Sequence, residues 1–224
     1  MQDNLKNQKV LTYDDVVLFP VGDSNEPLID VRTYDQTIVS EYLKEDMLEI
    51  TGDIIYIRDT LARKLAHVNS LLNEMGLRLK IVYGYRHPSV QERYFVKRQD
   101  VLRKENPGMT SAELERLTHN FVAVPSVAGH PAGGAVDLTL IDAQGNLLDM
   151  GTGIADYTDP KLIQTFDARI TDVQKANRMM LHNLMVDVGF APFYGEWWHF
   201  SYGDREWAAF YNKNALYGAV NIEQ

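Results

Sequence analysis

The clearest periodic pattern lies at Leu61, Leu65, Val68, Leu72 and Met75, spaced by four and by three. That spacing lays one apolar stripe along a helix, so residues 53–76 are read as helical, with Gly76 as a left-handed terminator. The pattern then changes. Leu77, Leu79 and Ile81 alternate with polar residues, as on a half-buried strand. Pro88 opens a second helix expected to run through Arg98, since proline is tolerated in a first turn, and Asn106-Pro107-Gly108 closes off that region. Thr110 with Glu113, and Thr171 with Gln174, have capping-box spacing and predict two further helices. The inner face of the later one is assigned to Val173, Met180, Leu181, Leu184 and Val188, with Gly189 ending it. Residues 123–136, rich in Pro, Gly, Ala and Val, read as loop. DLTLID reads as a strand, DAQGNLL as a turn into another, and FYGEWWHFSYG as an aromatic strand. Two short stretches near the start, LTYDDVVLFPV and LIDVRTY, also have strand character.

Helical and strand patterns are mixed without regular alternation, which favours an α+β fold over a doubly wound one. The expectation is a single compact domain over residues 1–224, with a central, mainly antiparallel sheet flanked by helices. Within it, residues 1–50 form an irregular N-terminal part and residues 205–224 a C-terminal tail that wraps the domain. The chain is 224 residues long, enough to bury a full core without staples.

Composition narrows the chemistry. Lys and Arg number 22 against 31 Asp and Glu, a net charge of −9, which is unfavourable for binding nucleic acid. No cysteine is present, so disulfides, thiolate metal sites and cysteine nucleophiles are all removed, and any metal must be held by His, Asp and Glu. No apolar run is long enough to span a membrane, and the first twenty residues lack the basic and apolar pattern of a signal peptide. The expected location is therefore cytoplasmic, with the periplasm as the alternative if a leader has been removed. The pattern leaves the oligomeric state open.

Six histidines are available. His67, His119 and His182 are read as surface or boundary residues of helices, and His87 is left open. His130 lies among small residues in AGHPAGGAVDLTL, where the backbone can approach another group closely. Asp137, seven positions later, leads the DLTL strand as either a turn residue or a ligand. Glu196 and His199 are three apart in GEWWHF. On a regular strand they would face opposite ways, so a shared site requires Glu196 to lie on the bend before the strand. The HExxH helix, the G-x-S-x-G elbow and the phosphate-binding glycine loop are absent from the sequence. Two imidazoles and a carboxylate would suffice to hold a catalytic zinc with one open position.

KIVYGYRHPSVQERYF, HPAGGAVDLTLIDAQGNLLDMGT, NRMMLHNLMVDVGF and GEWWHF, in that order over about residues 60–200, resemble the zinc D-alanyl-D-alanine dipeptidase family, which is related to the D,D-carboxypeptidases. The resemblance implies one Zn2+ per chain, with His130, Asp137 and His199 as ligands. It implies Glu196 as catalytic base, Arg86 as stabiliser of the oxyanion, and Gln91, which follows Arg86 at the family spacing, as a substrate-binding residue. Asp156 falls, with a one-residue insertion, where the family places the acid that binds the substrate's free amine. The implied activity is hydrolysis of D-Ala-D-Ala or a similar small dipeptide. The alternatives are a D,D-carboxypeptidase or endopeptidase acting on peptidoglycan stem peptides, and a non-catalytic zinc-containing binding module. Ala128 and Ala132 depart from the family's usual Ser and Arg, which puts the substrate in question more than the metal.

Overall fold

The computed structural model describes residues 8–222; residues 1–7 and 223–224, at the outer ends of the N-terminal part and the C-terminal tail, lie outside the described residues. In chain order the elements are α1 (Tyr13–Val16), β1 (Leu28–Asp30), β2 (Val39–Ser40), α2 (Leu48–Thr51), β3 (Tyr56–Arg58), α3 (Asp59–Asn73), β4 (Leu77–Tyr83), α4 (Pro88–Glu105), α5 (Ser111–His119), β5 (Ala135–Asp142), α6 (Asp172–Asp187), β6 (Ala191–Pro192), β7 (His199–Ser201) and α7 (Arg205–Tyr211). Five strands form one sheet in the order β2-β4-β5-β7-β6, and β1 and β3 form a separate antiparallel pair. Among the described residues, only the β2–β4 pairing is parallel. This is the expected α+β arrangement with a mainly antiparallel sheet.

The core follows from the two periodicities. Leu61, Leu65, Val68 and Leu72 of α3 pack with Leu79 and Ile81 of β4 and with Val136, Leu138 and Leu140 of β5, all fully buried. Leu181 and Met185 of α6 and Phe200 of β7 join the same cluster. Alternation along β5 and β7 turns the intervening residues, Asp137 and His199, to the other face.

Several boundaries differ from the sequence expectation. Tyr13–Val16 is a helical turn rather than a strand, because the Asp15 carboxylate accepts the Thr12 backbone N–H at 2.9 Å in a capping box. Residues 56–58 pair with β1, so α3 starts at Asp59, and Met75 lies past its end, half exposed. Gly76 is left-handed as expected, with φ 72°. Helix α4 continues through Arg98 to Glu105. Both capping boxes close as the spacing predicts, but Val173 stands in solvent in the first turn of α6. The strand expected after the 142–146 turn is a single bridge, Ile141 to Leu147.

The C-terminal segment packs against the rest of the chain. Tyr217 is buried, Val220 N–H donates to the Pro131 carbonyl at 2.9 Å, and the Tyr85 hydroxyl donates to the Val220 carbonyl at 2.9 Å. It is more than an appendage, because α7 packs on β6 and on α1 and places Glu206 in the wall of a cavity.

Candidate metal centre

The aromatic stretch is mostly turn. Glu196 N–H donates to the Phe193 carbonyl at 3.0 Å, and His199 N–H to the Glu196 carbonyl at 3.2 Å. These successive turns carry Glu196 on the bend, and pairing begins at His199, which sits directly opposite Asp137. The next strand over places Tyr83 opposite Asp137. Residues directly opposite on neighbouring strands share a face. Trp197 and Trp198 pack perpendicular to one another and are buried, and the Trp197 indole N–H donates to the Thr152 hydroxyl at 2.8 Å. Neither is a wall residue of the cavity, so they fix the turn.

His130 arrives from a single 3-10 turn, His130–Ala132. That turn is held from below by the buried Arg58, whose Nε donates to the Ala132 carbonyl at 2.8 Å. Gly133 ends it with φ 68°, in the left-handed region that glycine adopts without strain. The close approach expected of these small residues occurs at Gly129, where a Cβ would lie 2.0 Å from Asp204 Oδ2. On the other side, the His130 ring nitrogen Nδ1 lies 2.7 Å from the Gly84 carbonyl. Gly84 is equally constrained, since a Cβ there would meet the Tyr56 carbonyl oxygen at 2.6 Å.

His130, Asp137 and His199 present ligand atoms that all lie within 4.8 Å of one another. His130 Nε2 is 3.5 Å from Asp137 Oδ2, and His199 Nδ1 is 3.0 Å from Asp137 Oδ1. Tetrahedral zinc with bonds near 2.0–2.2 Å wants its ligands about 3.4 Å apart. A carbonyl facing His130 Nδ1 makes that nitrogen the donor and leaves Nε2 its lone pair, as a metal ligand needs. The residues therefore fit a zinc ion. The electrostatics agree: burial holds the His130 imidazole below its ordinary pKa and hence neutral. Burial alone would raise Asp137, but the two imidazoles outweigh it and keep the carboxyl well below the usual range. His199 goes the other way. Burial opposes its charge, yet Glu206 and Asp137 on either side hold its pKa well above the ordinary value.

The other expected residues divide. A cavity of about 160 Å³ is walled in part by the three candidate ligands together with Glu196, Arg86 and Gln91. Burial pushes the Glu196 carboxyl up to about 7, with His199 and the Tyr157 hydroxyl pulling the other way. That hydroxyl donates to Glu196 Oε1 at 2.8 Å. Arg86 lies over the Tyr83 ring at 4.4 Å and donates through Nη1 to Gln91 Oε1 at 2.8 Å; Gln91 in turn donates to the Ala123 carbonyl at 2.7 Å. Gln91 thus holds Arg86 rather than facing the metal group directly. Asp156 is not brought in. It is exposed and accepts from the backbone and hydroxyl of Thr158 within its own loop, outside the cavity wall. Its neighbour Tyr157 takes the place on the wall.

Of the remaining histidines, His67 is exposed as expected, and His87 caps α4 by accepting Ser89 N–H. His182 is buried, not a boundary residue, stacked on Tyr194. His119 lines the cavity, with Nδ1 accepting the Val124 N–H at 3.2 Å. Ala128 is on the wall and Ala132 is not, so of the two family departures only Ala128 touches the space a substrate would fill. Tyr157 and Glu206 were not anticipated. Tyr157 had a signal, its place beside the chosen Asp156, whereas Glu206 follows the aromatic motif at no spacing that marks it.

A family model described as D-ala-D-ala dipeptidase matches residues 37–217. The chain belongs to the D-ala-D-ala dipeptidase family. It is similar to a D-alanyl-D-alanine dipeptidase of Synechocystis, 36% identical over 136 residues, covering 50% of this chain and 55% of that protein. It is also similar to one of Enterococcus faecalis, 33% identical over 132 residues, covering 56% of this chain and 62% of that protein. The match thus spans little more than half the length of these curated relatives. Among solved structures, the LdcB LD-carboxypeptidase is similar at 17% identity and a TM-score of 0.48, covering 86% of this chain and 77% of that one. A likeness that loose adds nothing to the family match.

Proposed function

We propose that this dipeptidase-family chain is a zinc metallopeptidase that hydrolyses D-Ala-D-Ala or a similarly small dipeptide, with His130, Asp137 and His199 holding the metal. The observation that carries the reading is that these residues converge in one cavity whose wall also holds a partly buried carboxylate, Glu196, and a guanidinium, Arg86. Bound there, zinc supplies a Lewis acid that acidifies water and polarises a carbonyl. The chain's own groups do the rest. Glu196, freed from bulk solvent and with a pKa near neutrality, accepts a proton and passes it to the departing amine. Tyr157 keeps that carboxylate oriented through its hydroxyl. Arg86, braced by Gln91 and two tyrosine rings, offers a fixed positive charge to the oxygen that becomes anionic. The buried Trp197 and Trp198 hold the Glu196–His199 turn rigid, which limits drift of the base.

A second reading stays open on one observation. The acid expected to hold a free substrate amine, Asp156, stands outside the cavity wall. The ground in the sequence for preferring a dipeptide over a longer peptide ending in D-Ala-D-Ala is thereby weakened. One experiment tests both. Purified protein with about one zinc per chain is given D-Ala-D-Ala, L-containing dipeptides and N-acylated D-Ala-D-Ala peptides. Turnover of free D-Ala-D-Ala alone supports the dipeptidase, and turnover of acylated substrates supports the carboxypeptidase. Glu196→Gln should keep the zinc and lose at least about 10²-fold in kcat, as a general base does. No turnover of any substrate by zinc-loaded protein would leave a binding module.

A further inference from the structure

We propose that Glu206 is a positioning residue for the metal centre, fixing the ring and tautomer of His199 so that Nδ1 is its ligand atom. The inference rests on the reading of His130, Asp137 and His199 as a zinc site. Glu206 Oε2 lies 3.1 Å from His199 Nε2, on the side of the ring away from Asp137. A carboxylate accepts and cannot donate, so Glu206 keeps a proton on Nε2; a cation held between Nδ1 and Asp137 then takes the place of the second proton, and Nδ1 is the nitrogen left to offer a lone pair. The two histidines are used through opposite nitrogens. His130 points Nδ1 back at the Gly84 carbonyl and offers Nε2; His199 points Nε2 back at Glu206 and offers Nδ1. Each imidazole has an acceptor behind it, and only one of these acceptors carries charge. A charged acceptor on the far nitrogen makes the imidazole a stronger donor to the metal and stops the ring from turning over.

Glu206 is itself anchored. The Ser201 hydroxyl donates to the same Oε2 at 3.1 Å. Asp204 caps α7 by accepting the Trp207 N–H at 2.9 Å. The Trp207 indole N–H donates to the Gly189 carbonyl at 3.0 Å, and the Tyr211 hydroxyl to the Phe190 carbonyl at 2.9 Å. These bonds tie α7 to the α6–β6 connection. The C-terminal segment thereby takes part in holding the metal though it supplies no ligand.

The test is zinc retention by the full-length protein, read by competition with a chromophoric chelator. Glu206→Ala should weaken zinc binding by about 10–100-fold. Glu206→Gln, whose amide oxygen can still accept from Nε2–H but carries no charge, should fall between Ala and wild type. The imidazole resonances of His199 in 15N-labelled zinc protein should show an Nε2–H tautomer in wild type and Gln, and faster exchange of that proton in Ala. Glu206→Ala retaining zinc within twofold of wild type overturns the proposal. If Glu206→Ala does not fold, unchanged zinc affinity in Glu206→Gln overturns it instead. A raised KM with unchanged zinc affinity also overturns it, by assigning Glu206 to the substrate's amine. His130→Ala separates the levels: if it too holds zinc at wild-type affinity, the metal site itself has been misread, whatever Glu206 does.

Discussion

Glu196 shows how much one residue's behaviour depends on its immediate partners. Burial drives its carboxyl up to about 7, while the Tyr157 hydroxyl at 2.8 Å favours the charged form. On the proposed reading Glu196 is a general base, which must be ionised to act, so turnover should fall as pH drops through its pKa. A cation on the nearby ligands adds to the pull toward ionisation and sets the wild-type acid limb below neutrality. Removing the phenol hydroxyl removes one stabilising donor, so the Glu196 pKa rises. Tyr157→Phe should therefore move the acid limb of kcat/KM toward higher pH, by about half to one unit for one hydrogen bond. A pH–rate profile checks this, and an unmoved limb would mean that Tyr157 does not act on Glu196. Asp156, one position earlier, shows the limit of transfer by motif: the segment is in place, but the side chain is engaged with Thr158.

Among the elements, the long connection between β5 and α6 has almost no regular structure, yet it carries Tyr157 to the cavity. What holds it is Arg178 of α6, almost fully buried. Its guanidinium donates to the carbonyls of Met150, Gln164 and Leu162 at 2.7, 2.7 and 3.0 Å. Burial pulls its pKa down to about 10, which still leaves it charged at neutrality. Arg178→Met would leave these three carbonyls, the Met150 one buried and the other two partly so, without that donor, and a buried loss of this kind costs about 1–3 kcal/mol. The expected result is a drop of about 3 kcal/mol or more in urea unfolding, with faster hydrogen exchange over residues 150–165. Capping boxes and stripes made most helices legible in advance, because their signals are local. The short strands were not, since β7 is three residues long and its pairing with β5 is a relation between segments 62 positions apart, Asp137 with His199.

For the whole molecule, the sheet is the frame that joins the parts. β4, β5 and β7 line up Tyr83, Asp137 and His199 across three strands, the turn from β5's upstream loop adds His130, and α7 adds Glu206 behind. Metal binding should therefore stabilise the fold as a ligand of the native state, by about 2.7 kcal/mol at a free concentration a hundred times Kd. Stripping the zinc with a chelator is expected to lower Tm and abolish hydrolysis, and restoring zinc should reverse both. A Tm that ignores the chelator while zinc leaves would uncouple the site from the sheet. Among the described residues no helix is long and apolar enough to cross a membrane.

The sequence by itself determined the fold class, the main helices and the bend required at Glu196, because these rest on local spacing and alternation, and its motifs carried the family resemblance that implied the ligand trio. Opposed faces on a regular strand required Glu196 to lie on a bend, and it does. Only the tertiary structure decided that Asp156 faces its own loop, that Tyr157 touches Glu196, that His182 is buried, and that the C-terminal segment supplies Glu206. Each of these depends on where separate elements meet, and a side chain's reach across a cavity leaves no period in the chain that carries it.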